Sequence, residues 1–242
     1  MSLDLPTEHL LLLAAVTFLG AMLQGVVGLG LGLLVAPIAG IIEPALLPGV
    51  PLCLALVMPL LTLTKDVRHV DWPALAWALP ARVPGTVVGV VVVALATPEQ
   101  IGVIVGLAVL VAVLLTVRTV QIPVTRASLA GAGFVSGVTG TATSIGGPPL
   151  ALLLQRRPPD QTRGTLGAYF VVGAAFSVIG LWASGHLVLR DVSVALAMLP
   201  AMTLGFYAAM FLRSRVPAAS LRGTLLLVCA VSALVLVVRS IS

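Results

Sequence analysis

Charge is what this chain has least of. Only 9% of its 242 residues are Asp, Glu, Lys or Arg, against 60% hydrophobic, and the mean hydropathy is +1.19. So few charges cannot dress the surface of a water-soluble globule, so lipid has to be the outer solvent and the class is an integral membrane protein. Cysteine is just as sparse. Cys53 and Cys229 stand alone in apolar runs, with no CxxC and no histidine nearby, and read as buried thiols rather than metal or redox groups. His9, His69 and His186 each fall near the end of a span, so no metal site and no cofactor is expected. No Lys or Arg precedes Lys65; the basic start of a cleaved signal peptide is missing, and residues 10–19 are expected to belong to a retained first span. The net charge of +5 is scattered through short loops rather than gathered on one face, which excludes a nucleic-acid footprint. GLGLG at 28–32 has no strand before it, and no GKS or GKT follows, which excludes a dinucleotide fold and a P-loop.

What the chain does have is apolar length. Runs lie at 10–34, 46–64, 75–96, 101–117, 129–154, 166–183, 192–212 and 221–238, joined by short connections. One of them, GAGFVSGVTGTATSIGGPPLALLL at 131–154, cannot be an ordinary membrane helix, because glycines, hydroxyls and two prolines interrupt it. The expectation is a broken helical hairpin whose tip lies inside the bilayer. Its middle, 139–147, is too rich in glycine to stay helical, while Pro148 and Pro149 suit the first turn of a new helix, where a missing N–H costs nothing. From Pro148 to Gln155 that helix reaches about 12 Å at ~1.5 Å per residue, so it starts near the midplane of a core about 30 Å thick and aims its free N–H groups there.

The second half of the chain echoes the first. Gly25, Val26, Gly28, Pro37 and Ala39 recur 112 positions later as Gly137, Val138, Gly140, Pro149 and Ala151. Asp71, Leu79, Pro80 and Gly85 recur 120 positions later as Asp191, Leu199, Pro200 and Gly205. The chain thus divides into residues 1–120 and 121–242, two related halves of one membrane domain. Such repeats point to a transporter whose site lies where interrupted helices of both halves meet.

Basic residues decide how the chain threads, because cytoplasmic loops collect Lys and Arg. If each glycine-rich run crosses once, six basic residues fall on each side. If each run goes in and returns, Lys65, Arg68, Arg118, Arg126, Arg156, Arg157, Arg163, Arg213, Arg215 and Arg222 share one side, and only Arg190 and Arg239 the other. Five segments per half, an odd number, then predict an all-α fold of two inverted-topology repeats. Each repeat is a broken helical hairpin plus three transmembrane helices. Both termini, Glu43 and Glu99 face outward in this scheme, and Arg118 and Arg156 face the cytoplasm.

Arg82 is the only charge expected deep in a span, ten residues after Trp72 and hence roughly 15 Å below the interface. An intramembrane arginine is a functional candidate, weighed against one that snorkels or pairs structurally with the help of bends at Pro80 and Pro84. Its counterpart in the other half is the neutral Met202. The two tips are lopsided in the same way. The first offers Gln24 and the backbone of Gly28, Gly30 and Gly32; the second adds Ser136, Thr139, Thr141, Thr143 and Ser144 ahead of Gly146 and Gly147. Helix N-termini, bare glycine amides, hydroxyls and one guanidinium make a pocket for a small anion. Close GxxxG packing is the competing reading for Gly28 and Gly32. All eight acids, Asp4, Glu8, Glu43, Asp66, Asp71, Glu99, Asp160 and Asp191, fall in tails, loops or span ends, which leaves no carboxylate at mid-depth to relay protons. An anion would then move under the membrane potential, worth about 2.3 kcal/mol per charge per 100 mV, which favours export.

The motifs GVVGLGLGLLVAPI at 25–38 and SGVTGTATSIGGPPLALL at 136–153 resemble the paired glycine-rich motifs of the TauE/SafE sulfite exporter family, also called the toluene sulfonate uptake permease family. The resemblance runs over nearly the whole chain. It implies a prokaryotic plasma-membrane carrier for sulfite, sulfonates or other small organic anions; the internal repeat adds alternating access of the two halves as the expected mechanism. The chain departs from the usual run of consecutive glycines: Leu29 and Leu31 separate them in the first tip, and residues 141–144 occupy the second. Two other functions fit the same features. One is an anion channel with the same site; the other is an intramembrane hydrolase using Ser136 or Ser144 with His186, although His186 follows Gly185 in a predicted loop.

Overall fold

A computed structural model describes residues 5–28, 30–117, 122–212 and 218–241. Asp4, Leu29, Arg118, Arg213, Arg215, the boundary between the halves at 120 and 121, and both chain ends lie outside the described residues. Within them the chain forms ten α-helices and no strand: α1 (Thr7–Val27), α2 (Leu31–Ile42), α3 (Gly49–Asp66), α4 (Trp72–Leu95), α5 (Pro98–Val117), α6 (Arg126–Thr143), α7 (Gly147–Leu154), α8 (Pro159–Ala183), α9 (Leu189–Leu212) and α10 (Ala218–Ile241). Seven of these, α1, α3, α4, α5, α8, α9 and α10, are long and apolar enough to cross a bilayer. Only part of each span is covered by protein, and side chains such as Leu11, Val87, Val111, Ile179, Leu204 and Leu227 stand exposed where lipid is the solvent. With 12 and 8 residues, α2 and α7 are too short to cross.

Local chemistry sets the helix starts. Asp71 caps α4, its carboxylate accepting from the Ala74 N–H at 3.1 Å, with proline in the first turn. Thr125 and Ser128 close a reciprocal capping box at the head of α6.

Both short helices fold back on the helix before them. Gly28 takes the left-handed conformation (φ 88°) and ends α1, and Leu31 then lies beside Gly20, whose Cβ, if it had one, would stand 3.2 Å from the Leu31 Cα. A glycine suits the first of these positions because a left-handed residue carries no Cβ penalty there. In the second hairpin Ser144 makes the same turn (φ 62°), and Gly146 returns to the Ser136 carbonyl. The expectation that 139–147 is non-helical is corrected here: α6 continues through Thr143 and the break is confined to 144–146. The hydroxyls that looked like helix breakers are satisfied inside the helix, Thr139 donating to the Val135 carbonyl at 3.0 Å and Thr143 to the Thr139 carbonyl at 2.7 Å.

The register of the sequence repeat is corrected too. Gly30 against Gly20 in the first hairpin matches Gly146 against Ser136 in the second, and the left-handed residues are Gly28 and Ser144; each pair is 116 positions apart, not 112. The difference of four residues is about one helical turn, which returns a glycine pattern to the same face and so lets it match at the wrong level.

Each of the main helix pairs joins one of the first five helices to one of the last five. The chief contacts join α4 to α6, α1 to α9, α3 to α8 and α5 to α10. Charged groups collect at two ends. Glu43 takes both guanidinium nitrogens of Arg190, with Nη2 to Oε2 at 2.7 Å, and Arg239 donates to the Ile41 carbonyl at 3.2 Å. At the other end Arg157 pairs with Asp71 at 3.5 Å, and the Asp71 N–H donates to Thr165 at 2.9 Å.

Candidate functional site

The site is built around the middle of α4. Arg82 is 2% exposed, and its guanidinium is walled by three residues that the sequence did not place at the site. It sits over the Tyr169 ring at 4.6 Å to the centroid, on the bare backbone of Gly173, and beside Gly140, where a Cβ would stand 2.9 Å from Nη2. The ring offers a cation–π contact on one face. Nε and Nη1 are fully buried with no hydrogen-bond partner among the described residues. A charged donor left unpaired in the interior costs far more than a neutral one, so the arrangement favours an acceptor that carries negative charge.

A cavity of about 60 Å³ opens beside this guanidinium. Its walls come from both hairpin tips: Gln24, Gly30 and Gly32 from the first, and Ser144, Gly146 and Gly147 from the second, with Arg82 between them. The tips touch, since a Cβ on Gly32 would lie 2.7 Å from the Ser144 carbonyl oxygen. The Ser144 hydroxyl donates to the Pro48 carbonyl at 3.0 Å and ties the second tip to the head of α3. Gln24 accepts from the Leu31 N–H at 3.1 Å, which satisfies one of the free N–H groups at the start of α2. α2 and α7 both begin at this cavity, so two helices bring the positive ends of their dipoles to the guanidinium. No carboxylate is among the cavity's lining residues.

Five of the candidates sit elsewhere. Ser136 donates to the Gly146 carbonyl and clamps the second tip. Thr139 and Thr143 bond within α6, and Thr141 bonds to Ser177 of α8 at 2.8 Å. Gly28 lines a separate cavity. The three residues missed around Arg82 left a faint trace in the sequence. Tyr169 is an aromatic with a polar tip in mid-span, where its hydroxyl needs a partner, and it finds the Gly133 carbonyl at 3.3 Å. Gly164, Gly167 and Gly173 mark α8 as a helix that others approach closely.

The pairing a hydrolase would need is not formed. Ser136 and Ser144 donate to main-chain carbonyls, and His186 bonds to Ser184 at 3.2 Å in an exposed loop. Among the described residues no three of His, Cys, Asp and Glu gather as a metal site would require.

A family model described as Sulfite exporter TauE/SafE matches residues 13–236. Neither a curated protein nor a solved structure matches the chain.

Proposed function

Because this chain belongs to the TauE/SafE sulfite exporter family of membrane transporters, we propose that it carries a small sulfur-containing or organic anion, bound at Arg82 between the two hairpin tips, and exports it. The observation that carries this reading is the buried guanidinium with two unpartnered donors beside a cavity flanked by two helix starts. An oxyanion of the sulfite or sulfonate class supplies the missing acceptors, and removing it leaves the cation uncompensated. Size narrows the substrate. The cavity of about 60 Å³ has room for a few waters or a compact oxyanion, well below the roughly 150 Å³ of an engineered cavity that binds benzene.

The halves are residues 1–120 and 121–242, read as inverted repeats that rock about the shared site. Two observations support the inversion. The ends of the first hairpin lie with Glu43, Arg190 and Arg239, where the start of α1 is close enough for His9 to act on Glu43. The ends of the second lie at the opposite pole, where 122–124 and 155–157 line one cavity and Arg157 meets Asp71. Arg126, Arg156, Arg157 and Arg163 cluster at that second pole, which supports a cytoplasmic assignment for it and an outward assignment for both termini in a prokaryotic plasma membrane. With an inside-negative potential, a bound anion is then driven out by about 2.3 kcal/mol per charge per 100 mV.

The test is sulfite binding and flux in proteoliposomes with wild type and Arg82→Gln. Binding by Arg82→Gln equal to wild type, or flux blind to an imposed potential, sinks the reading. Saturable counterflow separates a carrier from a channel built on the same site.

A further inference from the structure

A second cavity, of about 170 Å³, lies between α5, α7, α8 and α10. It shares Leu33 and Pro148 with the Arg82 cavity, so the two chambers adjoin at those side chains. Gly28, the left-handed end of α1, faces it from the first tip, and its bare Cα leaves open space: a Cβ there would meet nothing within 4 Å. Its outer wall is polar. Gln155 and Thr162 lie there with Arg163, whose guanidinium pairs with the exposed Asp160.

Both poles are tied, and the Arg157 pole also carries a cavity that reaches the first tip. At the Glu43 pole, Arg190 joins α9 to the link after α2 through two hydrogen bonds, and Arg239 ties α10 to the Ile41 carbonyl. Asp191 fills the space at Gly49, where a Cβ would stand 2.4 Å from its Oδ2. At the Arg157 pole the second cavity leads inward from Arg163 to Leu33 and Pro148. At that mouth Arg163 is 21% exposed and paired with Asp160, 57% exposed, so an arriving anion reaches the guanidinium by displacing a carboxylate.

We infer that the outer chamber is a second anion station, headed by Arg163 and gated from the Arg82 site by Leu33 and Pro148, and that the structure is the carrier open toward the Arg157 pole. The inference rests on the reading that Arg82 holds the transported anion. Arriving anion exchanges with Asp160 for the Arg163 guanidinium, then passes the gate to the second guanidinium.

Ala151 lines the outer chamber and not the inner one, which makes it the reporter. In a full-length chain with Cys53→Ala and Cys229→Ala, Ala151→Cys in proteoliposomes should react with a charged, impermeant maleimide only from the side that modifies Arg156→Cys. The adduct should block sulfite flux. Reaction from the opposite side, from both sides at equal rates, or from neither while Arg156→Cys reacts, overturns the inference. A second arm keeps the native cysteines. Arg163→Gln should raise the half-saturating sulfite concentration about tenfold, the low end of what a focusing charge does, with the maximal rate kept and Arg163→Lys recovering it. A lower maximal rate with unchanged half-saturation, as a merely structural partner of Asp160 would give, overturns it. Arg82→Gln loses sulfite binding but keeps the sided labelling of Ala151→Cys, so the two readings fail in different measurements.

Discussion

The guanidinium of Arg82 lies on Gly173, so close that a Cβ at position 173 would stand 2.1 Å from its Cζ. The contact fixes where the one mid-span charge can go. α8 gives up a side chain at this level, Tyr169 one turn before it supplies a ring at 4.6 Å, and the cation is held at the wall of the inner cavity rather than drawn away along α4.

Gly173→Ala therefore tests positioning without touching the charge. The added methyl cannot share space with Cζ, so the guanidinium must leave its seat. Sulfite affinity should fall about tenfold, the equivalent of ~1.4 kcal/mol, while the protein still elutes as a folded species in detergent. Isothermal titration of wild type, Gly173→Ala and Arg82→Gln orders the three; affinity in Gly173→Ala equal to wild type would falsify the seat.

Tyr169 separates ring from hydroxyl. Tyr169→Phe keeps the face that Arg82 stacks on and loses only a 3.3 Å bond to the Gly133 carbonyl, so binding should change little. Tyr169→Leu removes the ring, and a desolvated cation–π contact is worth about 2 kcal/mol. Thermal melting in detergent should show that loss most clearly without bound anion, when nothing else compensates the buried charge.

Ser136 is a clamp by this geometry. Its hydroxyl donates to the Gly146 carbonyl and is fully buried, so Ser136→Ala leaves a buried acceptor unpaired and should cost about 1–3 kcal/mol of stability. Transport should persist at temperatures where the variant is folded. Loss of all activity in a well-folded Ser136→Ala with Arg82 intact would instead favour the hydrolase alternative.

These residues also mark what could be read in the chain and what could not. A lone arginine inside an apolar run announces itself, since charge at mid-depth is expensive, and Pro148-Pro149 after glycines announces a new helix start. Residues 139–143 misled because composition counts glycine as a helix breaker, whereas Gly140 stays inside α6 beside the Arg82 guanidinium and Thr139 and Thr143 bond four residues back within the helix. Gly140 repeats Gly28 in sequence, yet one lies inside α6 under a guanidinium and the other ends α1, because a slip of one turn is invisible to a pattern of the same period. Gly173 and Tyr169 lie about ninety positions from Arg82. Their meeting depends on how α8 packs, which no local spacing encodes.

The clasp between Arg190 and Glu43 should respond to acid in a defined direction. The hydrogen-bonded Arg190 guanidinium holds the Glu43 carboxyl below its ordinary value of 4.5. A carboxyl depressed in the fold stabilises above its unfolded value and loses that contribution as pH falls through the folded one. Stability should thus be flat in this term at neutral pH and decline below about 4.5, and Glu43→Gln should remove that decline. A double-mutant cycle with Arg190→Gln should give a coupling of about 1 kcal/mol at neutral pH, modest because both side chains are about 30% exposed. Melting curves across pH for the four chains supply both numbers.

Substrate size is set by side chains that can be cut back. Phe170 and Leu52 line the inner cavity. At about 60 Å³ the cavity is well below the roughly 150 Å³ of an engineered cavity that binds benzene, so on the function proposed above an aromatic sulfonate should fit poorly. Phe170→Ala removes a ring's volume from the wall. The surrounding helices can only partly collapse into the space, so the change leaves a cavity behind and, because Phe170 is only half-buried, costs less than the roughly 3–5 kcal/mol of a fully buried ring. Benzenesulfonate should then compete with sulfite in the variant and fail to compete in wild type, because the sulfonate keeps its contacts with Arg82 while the ring occupies the new space. Competition in wild type as strong as in the variant would mean that the anion binds outside this cavity, and Arg82→Gln measured with benzenesulfonate locates the fault: unchanged competition clears the guanidinium of any part in holding the sulfonate.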